Sequence, residues 1–225
     1  LVVFTHLLDF LTLPFIAMKV KVFNFFYEKE VRNLHYKDSL FKRVDTLFNI
    51  LYQEVNPYKV CRKILAKREF YGETPLFVYE RILEQSGIKK GEIFLDLGCG
   101  RGRGVFFANT YFKCSAVGVD LIVRFIEVAN QIKQRCALKN IEFIAEDLFT
   151  LTKLDVEVIY FNGICFLDDE IERLCQRFFL HCKRETKIFT VSFSLDCYDT
   201  RFVKKDQFKA FFPFGEAEVF MCQIK

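Results

Sequence analysis

Residues 94 to 104 read Phe-Leu-Asp-Leu-Gly-Cys-Gly-Arg-Gly-Arg-Gly. The apolar run Ile93-Phe94-Leu95 ends on Asp96, and glycines then fall at alternate positions, Gly98, Gly100 and Gly102. This pattern predicts a buried strand that delivers the chain into a tight turn of bare backbone. A ligand can approach such a turn closely because no Cβ intervenes. The helix-forming stretch Val105-Phe106-Phe107-Ala108 follows, so the turn also carries helix N-terminal amides. Strand, glycine turn and helix together predict a nucleotide or nucleoside site. The plain alternative is a tight strand–helix turn without a ligand.

The spacing excludes two common phosphate sites. A G-x-G-x-x-G fingerprint would place its third glycine at Arg103 or at Val105, and no Gly-Lys-Ser/Thr follows the turn. Working outward, the short apolar run Ser115-Ala-Val-Gly-Val119 ends on Asp120. An acid at the end of the second strand of a βαβ unit can accept both hydroxyls of a ribose; an ordinary strand-end acid or helix cap is the simpler alternative. Ile141 to Asp147 is a third run with an acidic end, and Val156 to Asn162 a fourth that ends on an amide. Strand, polar tip and helix in repetition predict an α/β fold with a parallel sheet whose strand ends form a ligand crevice.

The Asp-x-Gly-x-Gly-x-Gly segment resembles motif I of the class I S-adenosylmethionine (SAM) methyltransferases. The resemblance implies a Rossmann-like sheet, mostly parallel with an antiparallel last strand, and SAM as cofactor. It places Asp96, Gly98, Gly100 and Gly102 along the cofactor turn, and Asp120 at the ribose. Asp147 would meet the adenine amino group, and Leu148 would lend its backbone amide to the ring.

Two further segments narrow the resemblance. Phe70-Tyr-Gly-Glu-Thr74 stands before motif I, and Val158-Ile-Tyr-Phe-Asn-Gly-Ile-Cys-Phe166 stands at the fourth strand. With motif I they look like the disruptor-of-telomeric-silencing family, protein lysine methyltransferases without a SET domain. The similarity spans roughly residues 70 to 195. It implies that Glu73 and Thr74 lie near the methionine moiety of SAM. Asn162 matches the first Asn of the family's Asn-Asn pair, near the methyl group and the incoming lysine. Gly163 and Ile164 depart from the family pattern, whereas Phe166 keeps it. On the residues alone, Gly72 and Thr74 also suit a turn and a helix cap, and Asn162 also suits a strand-end amide.

Methyl transfer needs positioning more than acid–base chemistry, so Asn162 is the expected catalytic residue and no general base is assigned. A lysine nucleophile must arrive neutral, and apolar walls lower its pKa; Tyr160, Phe161 and Phe166 are candidates for those walls, with strand alternation putting Phe161 on the opposite face from Tyr160. A small molecule or RNA acceptor, or a SAM-binding module without catalysis, are the competing readings.

Composition sets the outer bounds. A 225-residue chain that is 52% hydrophobic with 29 Phe can bury a large core. A net charge of +4 argues for no particular partner. The cluster Lys59, Arg62, Lys63, Lys67 and Arg68 suits a solvated helix face better than a nucleic-acid site. Nine cysteines without a C-x-x-C pair, and scattered His6, His35 and His181, predict no metal site and a reducing, cytoplasmic setting.

Residues 1 to 70 read as an N-terminal helical extension and residues 71 to 225 as the transferase domain. Leu40, Val44, Leu47, Phe48 and Leu51 recur at helical spacing behind Asp38-Ser39, with a second basic helix at about 58 to 68. Thr74-Pro75 opens another helix and Gly87 closes it. Asp168-Asp169 is the expected cap of the helix carrying Ile171, Leu174, Cys175 and Phe178. Thr186 to Ser192 reads as a fifth strand and Gly215 to Ile224 as an antiparallel last one. Leu1 to Met18 is apolar but short for a membrane span and reads as an amphipathic or buried segment, with peripheral membrane contact as a lesser alternative.

Overall fold

The computed structural model describes residues 37–53, 55–57, 60, 72–152 and 154–225. The expectations for residues 1 to 36, for the helix at 58 to 68 with its basic cluster (Val60 apart), and for Phe70 and Tyr71 lie outside the described residues.

Helix α1 (Ser39–Leu51) starts where the Asp38 carboxylate accepts the Phe41 N–H at 2.8 Å, and it buries Phe41, Val44, Asp45 and Phe48 along one face. Helix α2 (Leu76–Ser86) follows Pro75 and ends at Gly87, which takes the left-handed conformation at φ 63°. The chain then alternates through β1 (Ile93–Leu97), α3 (Arg103–Thr110), β2 (Ser115–Asp120), α4 (Val123–Arg135), β3 (Ile141–Ala145), β4 (Val158–Phe161), α5 (Asp168–His181) and β5 (Lys187–Val191). It finishes with β6 (Phe202–Phe212) and β7 (Gly215–Ile224).

The seven strands form one sheet in the order β3-β2-β1-β4-β5-β7-β6. β3, β2, β1, β4 and β5 run parallel, and β7 is antiparallel to both of its neighbours. The expected mostly parallel Rossmann-like sheet with an antiparallel last strand is therefore present.

β1 is buried on both faces, as the centre of a parallel sheet must be. Successive side chains divide between two cores. Phe94, Ala116, Val158 and Tyr160 pack with α1, α2, α3 and α4, whereas Leu95, Val119, Ile159 and Phe161 pack with α5. Phe41, Val44, Phe48 and Tyr52 belong to the same core as the first face of the sheet, so helix α1 is built into the body that carries the glycine turn.

Two local expectations are corrected. The sequence reading holds no strand between residues 192 and 215, yet β6 occupies 202 to 212. Its run Lys204-Lys205-Asp206-Gln207 hides the alternation, and the pairing with β7 shifts register between Lys204 and Asp206. Asp168 and Asp169 are the first residues of α5 rather than its cap. Leu167 holds the cap position, and its N–H donates to Glu170 Oε2 at 3.0 Å.

One buried polar pair lies under the turn. Asp96 is 1% exposed and accepts a hydrogen bond from the Tyr79 hydroxyl at 2.9 Å. The Tyr79 ring leaves no room behind it, because a Cβ on Gly104 would stand 2.2 Å from its Cζ. Burial pushes the Asp96 carboxyl up to about 7; the nearby Asp120 charge adds to the shift and the Tyr79 hydrogen bond opposes it.

Two outcomes follow from this pair. Gly104→Ala should lower stability by about 1–3 kcal/mol through overpacking, read as a lower denaturant midpoint at unchanged m-value. The folded state holds a proton on Asp96 that an unfolded Asp, with a pKa of ~3.9, releases. Asp96 therefore subtracts stability as pH rises from about 4 to about 7. Asp96→Asn should flatten that fall in thermal unfolding measured across the window, and parallel curves for the two proteins would refute the assignment.

Candidate cofactor and methyl-transfer site

In the strand order, β1 and β4 are neighbours from which the chain winds away in opposite directions. In open α/β sheets, ligands bind beyond the carboxyl ends of the strands at such a switch point. The residues just beyond β1 are Gly98 to Gly102, and the residue just beyond β4 is Asn162. The topology thus brings two segments singled out in the sequence to one place.

The turn is folded onto the end of β2. The Gly98 and Cys99 N–H groups both donate to the Val119 carbonyl, at 2.8 and 3.0 Å. The Gly100 N–H donates to Asp120 Oδ2 and the Ile122 N–H to Asp120 Oδ1, each at 2.8 Å. Gly98, Gly100 and Gly102 have φ of 75°, 54° and 79°, the left-handed region that the turn requires. At Gly102 a side chain is also excluded by space, since its Cβ would lie 2.4 Å from the Phe143 ring.

Asp120 is thus oriented by two backbone donors, and each of its oxygens keeps a lone pair for a further donor. Burial raises its pKa and the two amide hydrogen bonds oppose the rise.

Glu73 reaches the same turn by pairing with the Arg101 side chain. The Arg101 guanidinium lies 5.1 Å from the Phe48 ring centre and 5.3 Å from that of Tyr52. The Tyr52 hydroxyl stands 3.0 Å from the Arg101 carbonyl and 2.7 Å from that of Phe125. Arg103 pairs at 2.8 Å with Asp45, whose side chain is 1% exposed.

Asp147 and Leu148 lie beyond β3, which stops at Ala145. Asp147 is exposed, and its Oδ1 accepts the Phe149 N–H at 2.9 Å, while Leu148 is half-buried.

At the β4 end, the hydroxyls of Thr74 and Tyr160 are 2.6 Å apart, and Asn162 Nδ2 donates to Thr74 Oγ1 at 3.5 Å. Asn162 Oδ1 is buried and accepts no hydrogen bond among the described residues. The expected wall is corrected here. Tyr160 and Phe161 lie on opposite faces as the alternation predicts, but each is 1% exposed and belongs to one of the two cores. Phe166 alone of the three is half-buried; its ring is 5.0 Å from that of Phe161.

These residues suit a nucleoside cofactor. The bare turn admits close approach, Asp120 can receive two hydroxyls, and an unpartnered buried acceptor stands at the adjoining strand end. Sequence reasoning missed Tyr79, Gly104 and Arg101, and took Tyr160 only as a wall. The two tyrosines sit at core positions of a helix and a strand, where nothing in the pattern announces a hydroxyl with a partner. Among the described residues, no three His, Cys, Asp or Glu side chains gather as a metal site, and no helix is long and apolar enough to cross a membrane.

Comparison with known proteins places the fold and the family. The chain is 30% identical over 130 residues to pavine N-methyltransferase of Thalictrum flavum subsp. glaucum, a match covering 53% of this chain and 36% of that protein. It is 27% identical over 139 residues to protein arginine N-methyltransferase 2 of Xenopus laevis, covering 59% of this chain and 32% of that protein. The chain thus spans about a third of the length of the curated relatives it matches. An RNA methyltransferase from Salinibacter ruber, solved in complex with S-adenosyl-L-homocysteine, shares the fold with a TM-score of 0.57 at 20% identity, over 68% of this chain and 93% of that one. The family model described as a methyltransferase domain matches residues 88–206, from the approach to β1 into β6, and by that span the chain belongs to the class I family of SAM-dependent methyltransferases.

Proposed function

We propose that this protein transfers a methyl group from SAM to the side-chain nitrogen of a protein lysine. The observation that carries the reading is Asn162 Oδ1, a buried acceptor without a partner at the strand end beside the glycine turn. A buried carbonyl oxygen left unsatisfied costs free energy. A methyl acceptor with an N–H to donate removes that cost while its lone pair attacks. The Tyr-Gly-Glu-Thr segment and the strand-end motif around Asn162 support a lysine through their resemblance to the disruptor-of-telomeric-silencing family. The two curated relatives are both named as N-methyltransferases, which supports a nitrogen acceptor more broadly.

The chain's own contribution is positional. Gly98, Gly100 and Gly102 give the cofactor a turn without side chains, Asp120 takes its ribose, and Asp147 and Leu148 flank the adenine. Glu73 and Thr74 lie toward the methionine end. When bound, SAM supplies a methyl group made electrophilic by the sulfonium. Asn162 Oδ1 accepts an N–H of the neutral lysine amine and so turns the nitrogen lone pair toward the methyl carbon. The half-buried Phe166 and Phe149 rings, 6.1 Å apart, give the approach an apolar surface that favours the neutral amine. In-line placement supplies most of the rate, so no side chain is needed as a general base.

Transfer of radiolabelled methyl from SAM to a lysate of the source cell tests the reading. Label should appear in protein, trace to lysine on hydrolysis, and vanish with Asp120→Ala. Label in RNA or in small molecules would overturn the lysine assignment and leave the family standing. Asn162→Ala should lower kcat about 100-fold while SAM affinity, measured by calorimetry, changes little; an equal loss in binding would place Asn162 at the cofactor instead.

A further inference from the structure

The Asn162 carboxamide does not stand alone at the strand end. Its Nδ2 donates to Thr74 Oγ1 at 3.5 Å, and Thr74 Oγ1 lies 2.6 Å from the Tyr160 hydroxyl. Thr74 is 7% exposed and Tyr160 1%, so bulk water does not compete for these bonds. Thr74 comes from the segment ahead of α2, and Tyr160 and Asn162 come from the end of β4. The three residues therefore join two parts of the chain beneath the site of methyl transfer.

The direction of these bonds matters because a hydroxyl has a single proton. With Asn162 Nδ2 donating to it, Thr74 is an acceptor toward Asn162, and either hydroxyl of the Thr74–Tyr160 pair can be the donor; Thr74 is taken as that donor. An Asn amide presents an acceptor at one end and two donors at the other, so whichever end Thr74 holds decides what the opposite end offers. Here Thr74 holds the nitrogen, and the orphan oxygen faces away from it.

We propose that Tyr160 is a positioning residue for methyl transfer, which through the Thr74 hydroxyl keeps the Asn162 carboxamide oriented with Oδ1 toward the methyl acceptor. The inference rests on the role given to Asn162 above. Without the Tyr160 oxygen, the Thr74 proton loses that partner, and turning the amide over would offer it the Asn162 carbonyl. The NH2 group then faces the acceptor nitrogen, where it competes for the lone pair that must attack. The phenol thus acts on the reaction without touching substrate or cofactor.

The test uses the full chain, with Tyr160→Phe and Thr74→Val compared with wild type and with the conservative Thr74→Ser. Two readouts are taken. The first is the exchange rate of the Asn162 side-chain NH2 in protein labelled with 15N-asparagine, assigned by its absence from Asn162→Ala. It needs no substrate. Exchange should be slow in wild type and in Thr74→Ser, and about tenfold faster in Tyr160→Phe and Thr74→Val.

The second readout is total radiolabelled methyl transferred to lysate, counted in whichever fraction takes it, so that the lysine assignment can fail while this inference stands. Tyr160→Phe should lower kcat about tenfold at unchanged KM for SAM, Thr74→Val should lower kcat by a similar factor, and the double variant should lose no more kcat than the worse single one. Unchanged NH2 exchange in Tyr160→Phe would overturn the inference, whatever the activity. So would losses in kcat that multiply in the double variant, or a loss in Tyr160→Phe that tracks KM for SAM or the folded fraction.

Discussion

The hydrogen bond from the Tyr79 hydroxyl to the Asp96 carboxylate is the contact on which the site is built. Each group would be costly to bury alone, since an unsatisfied polar atom away from water loses the full value of its hydration. Meeting each other, they fix helix α2 against the end of strand β1. The Tyr79 ring extends the constraint. It meets Phe94 edge-on with centroids 6.3 Å apart and Tyr160 at 5.0 Å, and it fills the space in which residue 104 would carry a side chain. Helices α2 and α3 and strands β1 and β4 thus converge on one aromatic ring. The glycine turn leaves β1 immediately above this point, so its position follows from the packing below it.

A second set of contacts holds the turn from outside. Asp45 is buried and paired with Arg103, and Arg101 lies beside Phe48 and Tyr52 while pairing with Glu73. A buried ion pair adds little net stability, but loss of either partner leaves an uncompensated charge. The arrangement therefore favours one placement of α1 over others. The two arginines of the glycine segment are turned toward the helix that precedes the sheet, and the bare backbone is left to the crevice. The alternation of glycine and arginine in this stretch separates the two tasks along a few residues of chain.

Much of this was legible in the sequence, because burial and turn geometry leave strong marks there. The strands ending at Leu97, Asp120 and Phe161 are apolar runs with polar ends, and the helix before Gly87 keeps its period. β6 escaped because its four central polar residues break the alternation at a register shift. The cap of α5 was misplaced because Glu170, four residues beyond Phe166, closes the helix through its side chain, where Asp168 and Asp169 were the more obvious candidates. Within the site, the residues that present bare backbone or a strand-end oxygen could be read from residue type. Tyr79 and Tyr160 could not. A tyrosine at a core position looks like any aromatic, and the partner of its hydroxyl depends on which distant residue the fold brings beneath it.

The place of β7 has a consequence for how the molecule is made. β7 lies between β5 and β6, so β6 lacks its partner and β5 its second neighbour until residues 215 to 224 have been synthesised. The glycine turn, Asp120 and Asn162 belong to strands completed earlier, and α1 to α4 can already cover one face of them. A nascent chain would therefore hold the cofactor crevice in outline while still exposing the hydrogen-bonding edge of β5, an open edge that other chains can join. Pairing with β7 is what closes that edge of β5 in the folded protein.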